Sequence, residues 1–368
     1  MRNGIAITGA SGFIGNRILE MFHLGKVPGL IPVVHSNSSL ALPVRFALPW
    51  KVCDHFSVDE LSRAFEGCEA VVHAAYGSPM KTMSEAVYRA ADRAAVRRLV
   101  VLSSASTYNQ NPQPGVTEDS PYPHKAATSY NAAKIAADRG IRRLRPRGRT
   151  KVVFLMPGVV YGPRSQWIAR VARQGAQGTA YLIDEGQGIC NGIYIDNLVE
   201  AVRLALIAPG VDGHSFFVSD AETVTWADFY RPILAAIGAQ PDTVHRIAAS
   251  AITRETARER FRAWVDGVVE TRAVRQLKPY VPRRLVRVYK TAVSFADRQR
   301  PSNVFAPLTE TGPALSLDMT LLQQCRYKLP NSKAERLLGY KPIVSFSVGM
   351  SRSIDWLEFA GYPVTRQV

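Results

Sequence analysis

Tyr130 and Lys134 bracket the run Tyr130-Asn131-Ala132-Ala133-Lys134. On a helix that spacing puts a phenol and an ammonium on one face, a turn apart. A phenol titrates near pH ~10, and a neighbouring positive charge favours the phenolate. Such a pair can pass a proton to or from a carbinol or carbonyl oxygen near neutral pH. The spacing alone arises by chance about 0.4 times in a chain of this composition, so its context matters. Upstream, the hydroxyl-rich run Ser103-Ser104-Ala105-Ser106-Thr107-Tyr108 directly follows an apolar stretch with strand character. The end of a buried strand is where a doubly wound fold exposes catalytic groups.

A second chemical signal opens the chain. The apolar run Gly4–Ile7 leads into Thr8-Gly9-Ala10-Ser11-Gly12-Phe13-Ile14-Gly15, and an amphipathic stretch continues to about His23. That is a strand, a glycine-rich turn and a helix. Gly9 lets the chain turn, Gly12 lets backbone N–H groups approach a pyrophosphate, and Gly15 lets helix pack on strand. The helix N-terminus itself favours the negative charge. The next strand, Leu30–Val34, ends in His35-Ser36-Asn37-Ser38-Ser39, with no Asp or Glu to meet a free ribose 2′-hydroxyl. Neutral hydroxyls such as Ser36, together with His35 and Arg45, can accept a 2′-phosphate instead. NADP(H) is therefore the expected cofactor, with NAD(H) as the alternative.

These groups need a frame. Strand signals at Glu69–Ala74, Leu99–Ser103 and Lys151–Met156 alternate with helical stretches at Val58–Phe65, Met80–Ala95 and Tyr130–Leu144. Strands alternating with helices of that length predict an α/β fold, a Rossmann-type doubly wound parallel sheet. The chain has 368 residues, 46% hydrophobic and 21% charged, which excludes disordered, collagen-like and disulfide-stapled classes. Its four cysteines are widely spaced, so no metal-ligand spacing exists, and reduced thiols in a cytoplasmic protein are expected. A first strand beginning near Asn3 leaves no room for a signal peptide, and no apolar run reaches the ~18 residues of a membrane span.

Taken together, the motifs resemble those of the extended short-chain dehydrogenase/reductases, often called the NAD-dependent epimerase/dehydratase family. The resemblance rests on Thr8–Gly15, on Asp54 within Cys53-Asp54-His55, on Val71-Val72-His73-Ala74-Ala75 and on the serine-rich turn. It extends through Glu118-Asp119-Ser120-Pro121, the Tyr130/Lys134 pair, Pro157–Pro163, Tyr194–Leu198 and Ser332–Pro342, and so spans most of the chain. It implies that Tyr130 is the general acid/base, that Lys134 lowers its pKa and holds the nicotinamide ribose, and that Ser104 hydrogen-bonds the reacting oxygen. Ser104, and not Ser103, stands four residues before Tyr108, the family's usual spacing. The same resemblance assigns the cofactor to Gly9, Ser11, Gly12, Phe13, Ile14, Gly15, His35, Ser36, Ala74, Ala75 and Pro157, with Asp54 beside the adenine.

Departures from the pattern narrow the reaction. Ala105-Ser106 replace the Asp-Glu pair of the 4,6-dehydratases, so elimination of water is not expected. Cys190, followed by Asn191, stands where many nucleotide-sugar epimerases carry a diphosphate-clamping arginine. Met156 likewise replaces an arginine or asparagine, although Arg164 could take over the clamp. The stretch between Ala75 and Leu99 is shorter than usual. A ketone reductase or secondary-alcohol dehydrogenase is thus favoured over a nucleotide-sugar epimerase with tightly held NAD, and a non-catalytic dinucleotide sensor is less favoured still. The substrate would be a small ketone or alcohol, a nucleotide sugar or a lipid-like molecule.

The expected dinucleotide-binding domain covers residues 1–165, with late strands from about 188–222, and the substrate-binding portion covers 223–368. Net charge is +16, of which the segment Arg246–Arg300 supplies 14 basic minus 5 acidic residues, or +9. Ala251–Leu277 and Arg283–Ala296 read as amphipathic helices, the latter with Arg283, Arg284, Arg287 and Lys290 on its polar side. A solvated cap over the pocket is favoured for this segment. A lid touching an anionic substrate and a helix resting on acidic lipid are the alternatives. No nucleic-acid motif is present, and a homodimer is possible.

Overall fold

The computed structural model describes residues 4–251, 313 and 315–365. Six strands lead: β1 (Gly4–Thr8), β2 (Leu30–Val34), β3 (Lys51–Val52), β4 (Cys68–His73), β5 (Arg98–Leu102) and β6 (Lys151–Pro157). Four short ones follow, β7 (Val159–Tyr161), β8 (Tyr181–Ile183), β9 (Ile189–Cys190) and β10 (Gly192–Tyr194), and then β11 (Ser215–Val218). The central sheet has seven strands in the order β11-β6-β5-β4-β1-β2-β3. Every pair in it is parallel. The chain winds outward from β1 through β2 to β3, then returns to β4 and winds the other way. The order therefore reverses between β1 and β4, where Thr8 is in register with His73 at the carboxyl ends. A crevice at such a reversal is the ligand site of open α/β sheets.

Side-chain alternation explains why both faces are covered. Ile7, Val72, Val100 and Val153 enter one apolar core, while their neighbours Ala6, Val71, Leu99 and Val152 enter the other. The first core is closed by α1 (Phe13–Leu24), whose Ile18, Leu19 and Phe22 are buried. Each such side chain contributes about 1.5–3 kcal/mol by leaving water. The second core is closed by α2 (Val58–Ala64), α3 (Met80–Arg93) and α4 (Ser129–Leu144). Helix α4 starts where the Thr128 hydroxyl accepts the Asn131 N–H, and the Asn131, Ile135 and Asp138 face is buried. It stops before Pro146, which has no N–H to continue the ladder.

The strands and helices expected up to Leu144, and the strand expected at Lys151–Met156, lie within two residues of those observed. After β6, α5 (Gln166–Ala176), α6 (Ile195–Ile207), β12 (Val224–Thr225) and α7 (Trp226–Ala236) add the substrate-side wall. Strand β13 (His245–Ile247) pairs with β8, β12 with β9 and β10 with β7. Three helices complete the described chain: α8 (Leu317–Gln323), α9 (Ser332–Leu338) and α10 (Phe346–Phe359). Residues 4–251 and 315–365 fall in one compact unit. The two basic helices read from the sequence, with Arg283, Arg284, Arg287 and Lys290, lie outside the described residues. No described helix is long and apolar enough to cross a membrane.

Candidate active site

A cleft of about 440 Å³ opens at the carboxyl ends of the strands. Its size suits a small molecule. It brings together Ser104, Tyr130 and Lys134 with Phe13, Ile14, Ala74, Ala75 and Pro157. Gly9, Ser11 and Gly12 form the turn between β1 and α1 at the same edge of the sheet, and Gly15 lies in the first turn of α1. His35 and Ser36 follow the end of β2, and Asp54 follows β3. The residues expected to meet a dinucleotide thus follow the carboxyl ends of β1, β2 and β3.

The glycine-rich turn passes a direct steric test for close backbone approach. Gly9 has φ +72°, and a Cβ there would stand 2.6 Å from the Ala75 nitrogen. A Cβ on Gly15 would stand 2.2 Å from the Gly9 carbonyl oxygen. The turn can close this tightly only without side chains. Beyond β2, the Ser36 hydroxyl lies 3.0 Å from that of Ser38 and 2.9 Å from that of Ser39. Arg45 and Arg164 both donate to Asn16 Oδ1, at 3.3 and 2.8 Å, so two guanidinium groups converge on the first turn of α1. Arg164 is therefore turned toward α1, and it is not part of the cleft lining. His55 is buried with Nε2 lacking a hydrogen-bond partner, its ring edge-on to His35 at 6.2 Å. Burial pushes His55 down to about 4, which keeps it neutral near pH 7.

The two serines divide their work. Ser103 Oγ donates to the buried Asp138 carboxylate at 2.5 Å, and Tyr122 donates to the same oxygen at 3.1 Å. Ser104 caps the short turn Ala105–Tyr108, its hydroxyl lies 2.8 Å from that of Ser106, and it favours the ionised form of the nearby Tyr130 phenol. Tyr108 holds that turn down through its hydroxyl, which donates to the carbonyls of Glu118 and Ser120 at 2.9 and 3.1 Å. The Lys134 ammonium donates to the Leu102 carbonyl at 2.9 Å. Its pKa is pushed down by burial, with Asp138 one turn along opposing the shift.

Tyr130 keeps 37% of its surface exposed, and its ring stacks near Tyr76 with centroids 6.4 Å apart. Desolvation of the hydroxyl nevertheless pushes the phenol up to about 12, outweighing the hydrogen bond from Ser104. Lys134 is not among the groups that shift it, and its ammonium donates to the Leu102 carbonyl. His73, beside the site, accepts or donates to Thr8 Oγ1 at 2.9 Å and Ser84 Oγ at 3.2 Å. Complete burial pushes it down to about 3, so it is a neutral structural bridge.

Three groups of the site were not singled out from the sequence. Asp138 stands four residues after Lys134, and extending the helical spacing one more turn would have found it. Gln110 and Asp318 carried no local signal, since Gln110 lies in a loop and Asp318 on α8, brought in by a contact 208 residues apart. On the substrate side the walls are apolar, with Trp167, Trp226, Leu322 and Leu329. Among the described residues, Lys134 and Asp318 are the charged side chains that line the cleft. Where an arginine clamp was looked for, Cys190 is fully buried, and Asn191 holds the chain's return segment by donating to the Tyr327 carbonyl at 3.0 Å.

Comparison with known proteins agrees with this architecture. The model of the NAD dependent epimerase/dehydratase family matches residues 5–218. A 2-alkyl-3-oxoalkanoate reductase of Shewanella oneidensis is 26% identical over 263 residues, covering 64% of this chain and 67% of the relative. A decarboxylating sterol-4-alpha-carboxylate 3-dehydrogenase of Candida albicans is 22% identical over 394 residues, covering 96% of this chain and 97% of its own. Among solved structures, a dTDP-glucose 4,6-dehydratase of Streptomyces venezuelae with bound NAD has a TM-score of 0.67 at 19% identity, covering 96% and 97% of the two chains. A UDP-glucuronic acid 4-epimerase of Bacillus cereus, in complex with UDP-glucuronic acid and NAD, has a TM-score of 0.67 at 16% identity, covering 97% and 99%. The structural likenesses are likenesses of fold.

Proposed function

Since the chain belongs to the NAD dependent epimerase/dehydratase family, we propose that it is a reductase or dehydrogenase that interconverts a ketone and a secondary alcohol with exchangeable NADP(H). The observation that carries this reading is the cleft wall. Its described lining residues include the apolar Trp167, Trp226, Leu322 and Leu329 and, among the described residues, no arginine of the kind that clamps a nucleotide diphosphate. The relatives include a reductase and a sterol dehydrogenase, which supports oxidoreduction between a ketone and a secondary alcohol.

A bound nicotinamide dinucleotide supplies or receives the hydride. The turn Gly9–Gly15 would hold its pyrophosphate, His35 and Ser36 its ribose phosphate, and Asp54 the adenine side. Ala74, Ala75 and Pro157 would wall the inner end. Tyr130 gives its proton to the carbonyl oxygen in reduction and takes it from the carbinol in oxidation. Ser104 orients that oxygen by a hydrogen bond, from the turn that Tyr108 fixes. Lys134 would hold the nicotinamide ribose, and its charge favours the phenolate when Tyr130 has given up its proton. Asp138 keeps a counter-charge one turn behind Lys134. Ser103 is engaged by that carboxylate, which supports Ser104 as the serine that meets substrate.

The test is native mass spectrometry of the purified protein after dilution. A reductase is expected to arrive empty or to exchange a bound nucleotide for added NADPH. A dinucleotide that survives dilution and does not exchange would overturn the reading in favour of an epimerase.

A further inference from the structure

Among the described residues, the substrate side of the cleft carries one carboxylate, and its surroundings give it a direction. Asp318 lies in α8, half-buried, with Trp226 and Leu322 also on the cleft wall. Its Oδ1 accepts a hydrogen bond from Gln110 Nε2 at 2.5 Å. That amide is itself fixed, because Gln110 Nε2 donates to Asn131 Oδ1 at 2.8 Å while Asn131 Nδ2 donates back to Gln110 Oε1 at 2.8 Å. Asn131 follows Tyr130 in sequence, and the Thr128 cap donates to its Oδ1 at 3.0 Å. The carboxylate is thus tied by hydrogen bonds to the first turn of the helix that carries Tyr130. Among the described residues it forms no ion pair, and the hydrogen bond it accepts is on Oδ1.

We propose that Asp318 is a specificity determinant. Its second oxygen accepts a hydrogen bond from a hydroxyl or amine borne by the substrate away from the reacting carbon, and it rejects substrates that place a carboxylate or phosphate there. The inference rests on the reading of the cleft as a ketone or alcohol site. A carboxylate in an apolar wall stays ionised more comfortably with a donor against it, and a second anion beside it is repelled in a region where charges are poorly screened. Burial already pushes the Asp318 carboxyl above its ordinary range, in spite of the Gln110 hydrogen bond and the positive charge of Arg170, and a donating substrate group offsets that desolvation. Gln110 and Asn131 hold the carboxylate at a fixed height relative to Tyr130. The pair therefore measures the separation between the reacting oxygen and the donor.

The probes are a matched series of medium-chain 2-alkanones ending in methyl, hydroxymethyl or carboxylate. Their dissociation constants from the NADPH-loaded protein are read by calorimetry, and turnover is followed separately by NADPH oxidation. The hydroxyl-terminated ketone is expected to bind at least about tenfold more tightly than the carboxylate-terminated one, the size of one charge-assisted hydrogen bond. Asp318→Asn keeps an acceptor for Gln110 and removes the charge. It should bring the two ligands within about threefold of each other, mainly by tightening the carboxylate. A wild-type protein that binds the carboxylate as tightly as the alcohol, or binds none of the three, overturns the proposal, and that arm needs no variant. An unchanged ratio in Asp318→Asn overturns it as well. Discrimination in binding without any NADPH oxidation would instead count against the reductase reading alone.

Discussion

A phenol pushed up to about 12 is protonated at neutral pH, which suits it to give a proton to a carbonyl oxygen that is gaining charge. Tyr130→Phe keeps the ring against Tyr76 and removes only that proton. Its kcat/KM should fall by about 10²–10⁴, the usual worth of a positioned general acid, while NADPH affinity changes by no more than about twofold. Near wild-type turnover would contradict the assigned role. Asp138 yields a second expectation, with a definite sign. Its charge opposes the desolvation that pushes Lys134 down, so Asp138→Asn should lower the ammonium's pKa further. If Lys134 must be charged for turnover, the alkaline limb of the kcat/KM profile moves to lower pH in the variant. An unmoved limb would separate Lys134's charge from catalysis. Tyr130, Lys134 and Ser104 were legible in the sequence because helical spacing and strand ends are local features. Gln110 and Asp318 were not, because a contact made across the whole chain leaves no mark on spacing.

At the scale of elements, alternating apolar runs made the central strands readable, since both faces of β4, β5 and β6 are buried. Late strands from about 188–222 were legible, but β7, β8, β12 and β13, which pair with β10, β13, β9 and β8, were not. Each has only two or three residues, too few for a period, and each is made by long-range pairing. The end of β2 offers the test of cofactor choice. The Ser36 hydroxyl lies within hydrogen-bond reach of those of Ser38 and Ser39, with no carboxylate among them. NADPH should therefore bind more tightly than NADH by fluorescence titration. Ser36→Asp should shrink or reverse that preference, since a carboxylate repels a phosphate and accepts from a free 2′-hydroxyl. Tighter NADH binding by the unmodified protein would remove the case for NADP(H).

For the whole molecule, the net charge of +16 is the feature that composition made plain and the described structure does not use. Exposed charges are screened over about 8 Å in physiological salt. A solvated cap predicts that replacing Arg283, Arg284 and Arg287 together by Gln leaves KM nearly unchanged, and that the wild type does not sediment with anionic vesicles. A KM that climbs with salt in the wild type would point instead to steering of an anionic substrate, against the carboxylate at Asp318. The central claim is that a dissociable NADP(H) gives its hydride to a ketone while Tyr130 handles the proton. The most direct measurement is a reaction of the protein with C4-deuterated NADPH and a ketone it accepts, analysed by mass spectrometry. The account predicts net consumption of NADPH, with deuterium on the carbinol carbon in step with it. A product formed without net NADPH consumption and without deuterium would contradict it.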